Sequence, residues 1–218
     1  MIIDLAALVR KSDPDRYFCT LLAPEQQQGT LFTLYAFDHE LARARMVASQ
    51  PLLALIRLQW WREVVEGAEK RHEVATPLFQ ALAEGRLDRA LCLRMIEGRE
   101  MEAEESLPDL AAFELYCLAA HGSTMAAAGM VLGAQDTEAL QRLGAGCGAV
   151  WIMRRRPAWL PEGDLAGLAR QWLATKVSDR RSAAVLPGVL AARDLRNLKR
   201  PRLVWDQLAV LARAKLGI

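Results

Sequence analysis

Three observations predict an all-α fold for this chain of 218 residues. Strand signals are scarce, because aromatic residues make up only 6% and no alternating run of Val, Ile, Thr and Tyr lies between turn residues. Apolar residues recur instead at three- and four-residue steps along almost the whole chain. Prolines and glycines fall where such runs begin and end, as helix starts and stops require.

Taken in order, Asp13-Pro14-Asp15 starts a helix that runs to about Ala23. Pro24 and Glu25 suit the first turn of the next, which continues through Leu31, Leu34, Tyr35, Leu41 and Ala42 to about Val47. Pro51 opens a third helix, with Leu52, Leu55, Ile56, Gln59, Trp60 and Val64 on its inner side, closing near Gly67. Further helices are predicted over 76–83, 88–105, 108–132, 137–155, 164–177, 182–198 and 201–216, with breaks at Gly85, Gly133 and Gly163. Pro187-Gly188 divides the segment 182–198 into two shorter pieces. The stretch 108–132 is poor in charge and rich in small residues, which places it centrally. With no repeat or low-complexity linker, the chain reads as one domain over 1–218.

Apolar residues are 52%, charged residues 25% and the formal net charge is +2, an ordinary globular balance that gives no sign of a nucleic-acid surface. Cys19, Cys92, Cys117 and Cys147 have no zinc or C-x-x-C spacing and read as reduced, mostly buried thiols. The N-terminus, Met1-Ile-Ile-Asp-Leu-Ala-Ala-Leu-Val-Arg-Lys, resembles neither a signal peptide nor a spanning helix, and a cytoplasmic location with peripheral membrane contact is expected.

Chemistry-bearing residues are few. Glu97, Glu100 and Glu104 share a face if the helix runs to Glu105, and that face either is solvated or holds Mg²⁺. Arg154-Arg155-Arg156-Pro157 either clamps a phosphate or compensates the dipole of a helix end. Gly144, Gly146 and Gly148 lack the Lys-Ser/Thr of a phosphate loop and suit close helix packing. Trp60 and Trp61, flanked by Arg57 and Arg62, form either core and rim or a pocket wall. His39, His72 and His121 are isolated, and no serine sits in a G-x-S-x-G elbow.

Several blocks occur together in a recognisable order. Tyr17-Phe-Cys-Thr-Leu-Leu-Ala-Pro-Glu25, Leu34-Tyr-Ala-Phe-Asp-His-Glu-Leu-Ala42, Ile56-Arg-Leu-Gln-Trp-Trp-Arg62, Met95-Ile-Glu-Gly-Arg-Glu-Met-Glu102 and Trp159-Leu160-Pro161 resemble the squalene/phytoene synthase family over about residues 13–165. The resemblance implies an isoprenoid synthase-like helical bundle around a central cavity. Active members join two prenyl diphosphates with Mg²⁺ held by two Asp-rich motifs, since diphosphate leaves only when its developing charge is neutralised. Where the family places those motifs this chain has Ala42-Arg43-Ala44-Arg45-Met46 and Arg154-Arg155-Arg156-Pro157.

The pattern is similar to the non-catalytic branch that includes the mitochondrial complex I assembly factor. The resemblance therefore implies a pseudoenzyme that needs no cofactor or metal and acts as an assembly or lipid-binding factor for a respiratory complex I client. A prenyl or quinone-like lipid in the cavity would meet Tyr35, His39, Arg43, Arg45, Arg57, Arg154 and Arg155. The alternative is a working prenyl transferase using Asp38, Glu97 and Glu102, with Mg²⁺ or with guanidinium groups in its place. A third expectation, compatible with the first, is contact with anionic membrane through residues 179–218, which carry nine Lys or Arg against three Asp.

Overall fold

The computed structural model describes residues 4–180 and 182–216. Met1, Ile2 and Ile3 of the N-terminal stretch, and Arg181, Gly217 and Ile218 of the basic C-terminal segment, lie outside the described residues. Among those described there are twelve α-helices and no strand. In order they are α1 (Leu5–Ser12), α2 (Pro14–Thr20), α3 (Glu25–Met46), α4 (Pro51–Glu66), α5 (Ala75–Ala83), α6 (Arg89–Glu100), α7 (Leu110–Tyr116), α8 (Ser123–Val131), α9 (Thr137–Arg155), α10 (Leu165–Leu173), α11 (Pro187–Asp194) and α12 (Val204–Leu216).

Six of the helices start on an aspartate whose carboxylate accepts a backbone N–H of the first turn: Asp4, Asp13, Asp88, Asp109, Asp136 and Asp164. α4 starts instead on Pro51 and stops at Gly67, whose φ of +117° is open to glycine at no steric cost. α1 is a helix the sequence reading did not anticipate. Its Val9 joins the main core, and the helix packs on α3.

Several predicted helices are shortened, and of 182–198 only Pro187–Asp194 is α-helical, with Pro187 opening the helix rather than dividing it. The segment expected to run to Glu105 stops at Glu100 and tightens into a 3₁₀ turn, Met101–Ala103, so Glu104 leaves the face of Glu97 and Glu100. α10 stops at Leu173. The segment 108–132 becomes α7 and α8 joined without a break by a π turn, Cys117–Gly122. Residues 123–129 are all buried, as their composition implies.

The expected inner face of α4 holds at Val64 and partly at Trp60 but not in the first half of the helix. Ala54, Leu58, Trp61, Val64 and Val65 point inward, while Leu52, Leu55 and Ile56 are exposed. The first half of α4 is apolar on every side, so periodicity alone does not choose its buried face.

The core divides around α9. One cluster joins α1, α3, α4, α5, α6 and α8; a second joins α7, the π turn, α9 and α10; a small third holds Cys19, Leu186, Leu190 and Val210. α9 approaches the π turn closely because its glycines have no side chains. A methyl group on Gly148 would lie 2.3 Å from the His121 ring, and one on Gly144 would lie 2.8 Å from the His121 carbonyl. Cys19, Cys92 and Cys117 are buried free thiols, and Cys147 is half-buried.

Candidate functional site

Where α3, the end of α6 and the π turn meet, two carboxylates from distant parts of the chain are joined by one arginine. Asp38 projects from the middle of α3 and Glu102 from the 3₁₀ turn after α6, and both are buried. Between them lies Arg99, only 4% exposed, whose Nη2 donates to Asp38 Oδ1 at 2.9 Å and whose Nη1 donates to Glu102 Oε1 at 2.7 Å. Arg99 and Glu102 meet across one helical turn, so the sharp tightening at Met101 is what turns Glu102 inward.

The remaining lone pairs are also occupied. Arg16 of α2 donates to Asp38 Oδ2 at 2.5 Å, and Arg156, just past α9, donates to Glu102 Oε2 at 3.0 Å. Tyr116 donates its hydroxyl proton to Glu102 Oε1 at 2.8 Å and stands 3.4 Å from His121 Nε2. Arg16 lies over the Tyr35 ring and Arg156 over the Trp159 ring, so both guanidinium groups are held by aromatic faces as well. Three guanidinium groups thus surround two carboxylates.

The electrostatics follow from this crowding. Burial works against ionisation of Asp38, but Arg99 and Arg16 outweigh it and hold the carboxyl well below the usual carboxylate range. Burial likewise opposes the charge on Arg99, which Tyr116, Asp38 and Glu102 hold in place far above its ordinary value. His121 has no carboxylate bonded to it; burial, reinforced by Arg99, pushes it down to about 3 and keeps the imidazole neutral.

Asp38, Arg16, Arg99 and His121 line a cleft of about 290 Å³ together with Trp151, Arg154 and Arg155 of α9, and the Trp151 ring lies 5.7 Å from that of His121. That volume lies at the lower end of the range for small-molecule pockets, about 300–1,000 Å³.

The bundle does not bring all the sequence-derived candidates together. Tyr35, Asp38, His39, Arg154 and Arg155 line the cleft. Glu102 stands behind it, on the far side of Arg99. Arg154 is already paired with Asp194 and donates to the Arg200 carbonyl at 2.8 Å, while Arg155 lies over the Trp151 ring. Arg43 is exposed and paired with Glu40, and Arg45 donates to the Glu102 carbonyl from outside the cleft. Arg57 is on the surface, and Glu97 faces a separate shallow depression with Arg94 and Met101. Trp61 is core and Trp60 rim, the blander of the two readings of that pair.

The sequence does not single out Arg16, Arg99, Tyr116 or His121 as site residues, and Arg156, noted there within the basic run, binds Glu102 rather than compensating a helix end. The available signals were the i, i+3 pair Arg99/Glu102 and the small-residue run that accommodates His121.

Magnesium, which the catalytic reading would require, does not fit this donor set. Each oxygen of Asp38 and Glu102 accepts from a guanidinium group, with the Tyr116 hydroxyl as a further donor. Among the described residues no group of three His, Cys, Asp or Glu is arranged to hold a metal ion.

Comparison with known proteins gives the family and the fold. The family model described as squalene/phytoene synthase matches residues 9–158. A rat protein named NADH dehydrogenase (ubiquinone) complex I, assembly factor 6, is 30% identical over 158 residues, covering 69% of this chain and 47% of its own. The cattle protein of the same name is 26% identical over 222 aligned positions, covering 94% of this chain and 66% of its own. The chain therefore spans about half to two thirds of the length of the curated relatives it matches. A crystal structure of a dehydrosqualene synthase in complex with ligand superposes with a TM-score of 0.77 at 12% identity, covering 97% of this chain and 94% of that one. The fold is thus the terpenoid synthase-like helical bundle.

Proposed function

The chain belongs to the squalene/phytoene synthase family, and from that premise we propose that it is a non-catalytic member, an assembly factor for a complex I-type NADH:quinone oxidoreductase. One observation carries this reading: the two inward carboxylates are bridged by Arg99. Ionisation-dependent prenyl transfer needs a polyvalent cation whose coordination sphere opens to diphosphate oxygens. The Arg99 guanidinium has its two Nη groups committed to protein, and its charge is matched by Asp38 and Glu102 on either side.

The cleft supports the same conclusion by its size. Condensing two prenyl diphosphates requires room for two chains and two charged heads, whereas this cleft suits one small ligand or one end of a lipid tail. A single prenyl or quinone-like tail is the occupant that this reading retains, with Arg155 near its mouth. The names of the rat and cattle relatives supply the client class.

The test has two arms. Purified protein incubated with farnesyl or geranylgeranyl diphosphate and Mg²⁺ is expected to release no pyrophosphate beside an active synthase control, and robust turnover would overturn the reading. Deleting the protein from its host is expected to lower NADH:quinone oxidoreductase activity and assembled complex together. Unchanged assembly would sink the assembly role.

A further inference from the structure

The corner made by the end of α3, the residues 47–50 and the first half of α4 carries apolar side chains that nothing among the described residues covers. Met46 is 78% exposed, Leu52 63% and Ile56 57%, and Val47, Leu53 and Leu55 are exposed beside them. Together they make a continuous apolar knuckle where the chain reverses between two long helices. The inward side of α4 is already satisfied by Ala54, Leu58 and Trp61, so these residues have no role in the core.

The stretch that forms the knuckle is basic, although Arg43 and Arg62 pair with Glu40 and Glu100 from outside it. From Leu41 to Arg62 the sequence contains four arginines and no acid. Arg57 is exposed without an ion-pair partner among the described residues, and Arg43 is exposed at the other flank, paired with Glu40. In the basic C-terminal segment, Arg193 and Arg200 are bound to Asp206 and Arg202 to Asp194 and Asp15, while Arg196 and Lys199 are exposed and no large apolar group projects beside them in α11.

We propose that the α3–α4 knuckle is a membrane-docking element that inserts Met46, Leu52 and Ile56 into an anionic bilayer surface, with Arg57 and Arg43 at headgroup level. Apolar side chains projecting from a helical corner with basic flanks match the interfacial chemistry of peripheral binding. A protein partner matching this surface would need acids at the rim, and lipid headgroups supply them without a specific sequence. Docking there also brings the cleft to the membrane: Ala42 lines the cleft and Met46 belongs to the knuckle, four residues or about 6 Å apart along α3. The inference stands whether or not the assembly role does.

The experiment is co-flotation of the full chain with vesicles of phosphatidylcholine alone or mixed with phosphatidylglycerol. Wild-type protein is expected to bind the anionic vesicles preferentially. The double variant Leu52→Glu/Ile56→Glu is expected to bind roughly a hundredfold more weakly or worse, since each buried aliphatic side chain contributes about tenfold or more and the two factors multiply. Arg196→Glu/Lys199→Glu in the C-terminal segment is expected to leave binding in place. All four positions are exposed, and unchanged circular dichroism confirms that each variant is folded. Absence of wild-type binding, equal binding by the knuckle variant, or loss only in the C-terminal variant overturns the proposal. So does a wild-type dimer in sedimentation that Leu52→Glu/Ile56→Glu dissolves, which would assign the surface to a second copy.

Discussion

Arg99 bonds both buried carboxylates of the centre, and its removal has a calculable cost. Arg99→Leu leaves Asp38 and Glu102 each with one cationic neighbour fewer in a site from which water is largely excluded. Breaking a buried pair by deleting one partner costs about 3–5 kcal/mol, and a urea titration of the purified protein is expected to read a loss of that size. Arg99→Lys recovers only part of it, because one ammonium group does not reproduce the planar fork that reaches both carboxylates.

His121 supplies a pH dependence of definite sign. Its folded value of about 3 lies below the 6.5 of an exposed imidazole, so the unfolded chain takes up the proton first. Stability is full above about pH 6.5 and falls as the pH drops toward 3, by at most about 1.4 kcal/mol per unit. His39, half-buried and also shifted down by its burial, acts in the same direction. His121→Gln is expected to flatten the slope between pH 6.5 and 4 in denaturation curves. Asp38 adds its own loss only below about pH 4, where the unfolded carboxylate begins to protonate.

Among elements, the small-residue helices set the tolerances. A Cβ on Gly98 of α6 would stand 2.5 Å from the Ala120 backbone nitrogen, and backbone of the π turn has nowhere to move. Gly29 of α3 is exposed with open space around it. Gly98→Ala is therefore expected to destabilise by about 1–3 kcal/mol through overpacking, whereas Gly29→Ala stabilises by about 0.5–1 kcal/mol through helix propensity. Thermal melts of the two variants should move in opposite directions.

Element identity was legible in the sequence at most starts marked by a proline or aspartate, as at Pro51 and Asp136, but not at Asp4, which caps α1. What escaped was the orientation of α4, whose first turns are apolar all round, and the stop at Glu100, which no glycine or proline announces. The centre was half legible for a related reason. Asp38 and Glu102 drew notice as acids, but Arg99 sits 61 residues from one partner and inside an acidic run, where an arginine reads as an ordinary surface pair.

At the scale of the whole molecule, the C-terminal helices are fastened to the bundle mainly by charge. Asp194 at the end of α11 is only 3% exposed and binds Arg154 of α9 and Arg202 before α12, while Arg202 also reaches Asp15 of α2. Asp206 accepts from the Leu203 backbone N–H and binds Arg200. The apolar cluster under this corner is small, built on Cys19, Leu186, Leu190 and Val210. Asp194→Ala is accordingly expected to loosen α12 without unfolding the bundle. Hydrogen exchange should quicken over residues 204–216 by tenfold or more (about 1.4 kcal/mol of local opening), while α8 stays protected. Equal acceleration in α8 would mean that the corner and the bundle open as one unit.

The arginine at the centre also fixes how the molecule relates to its ionic surroundings. A counter-charge that is part of the polypeptide arrives with translation, cannot dissociate and does not compete with nucleotides for a limited pool of divalent ions. On the non-catalytic reading proposed above, thermal melts with magnesium and with EDTA are expected to coincide, and a lower melting temperature in EDTA would count against it.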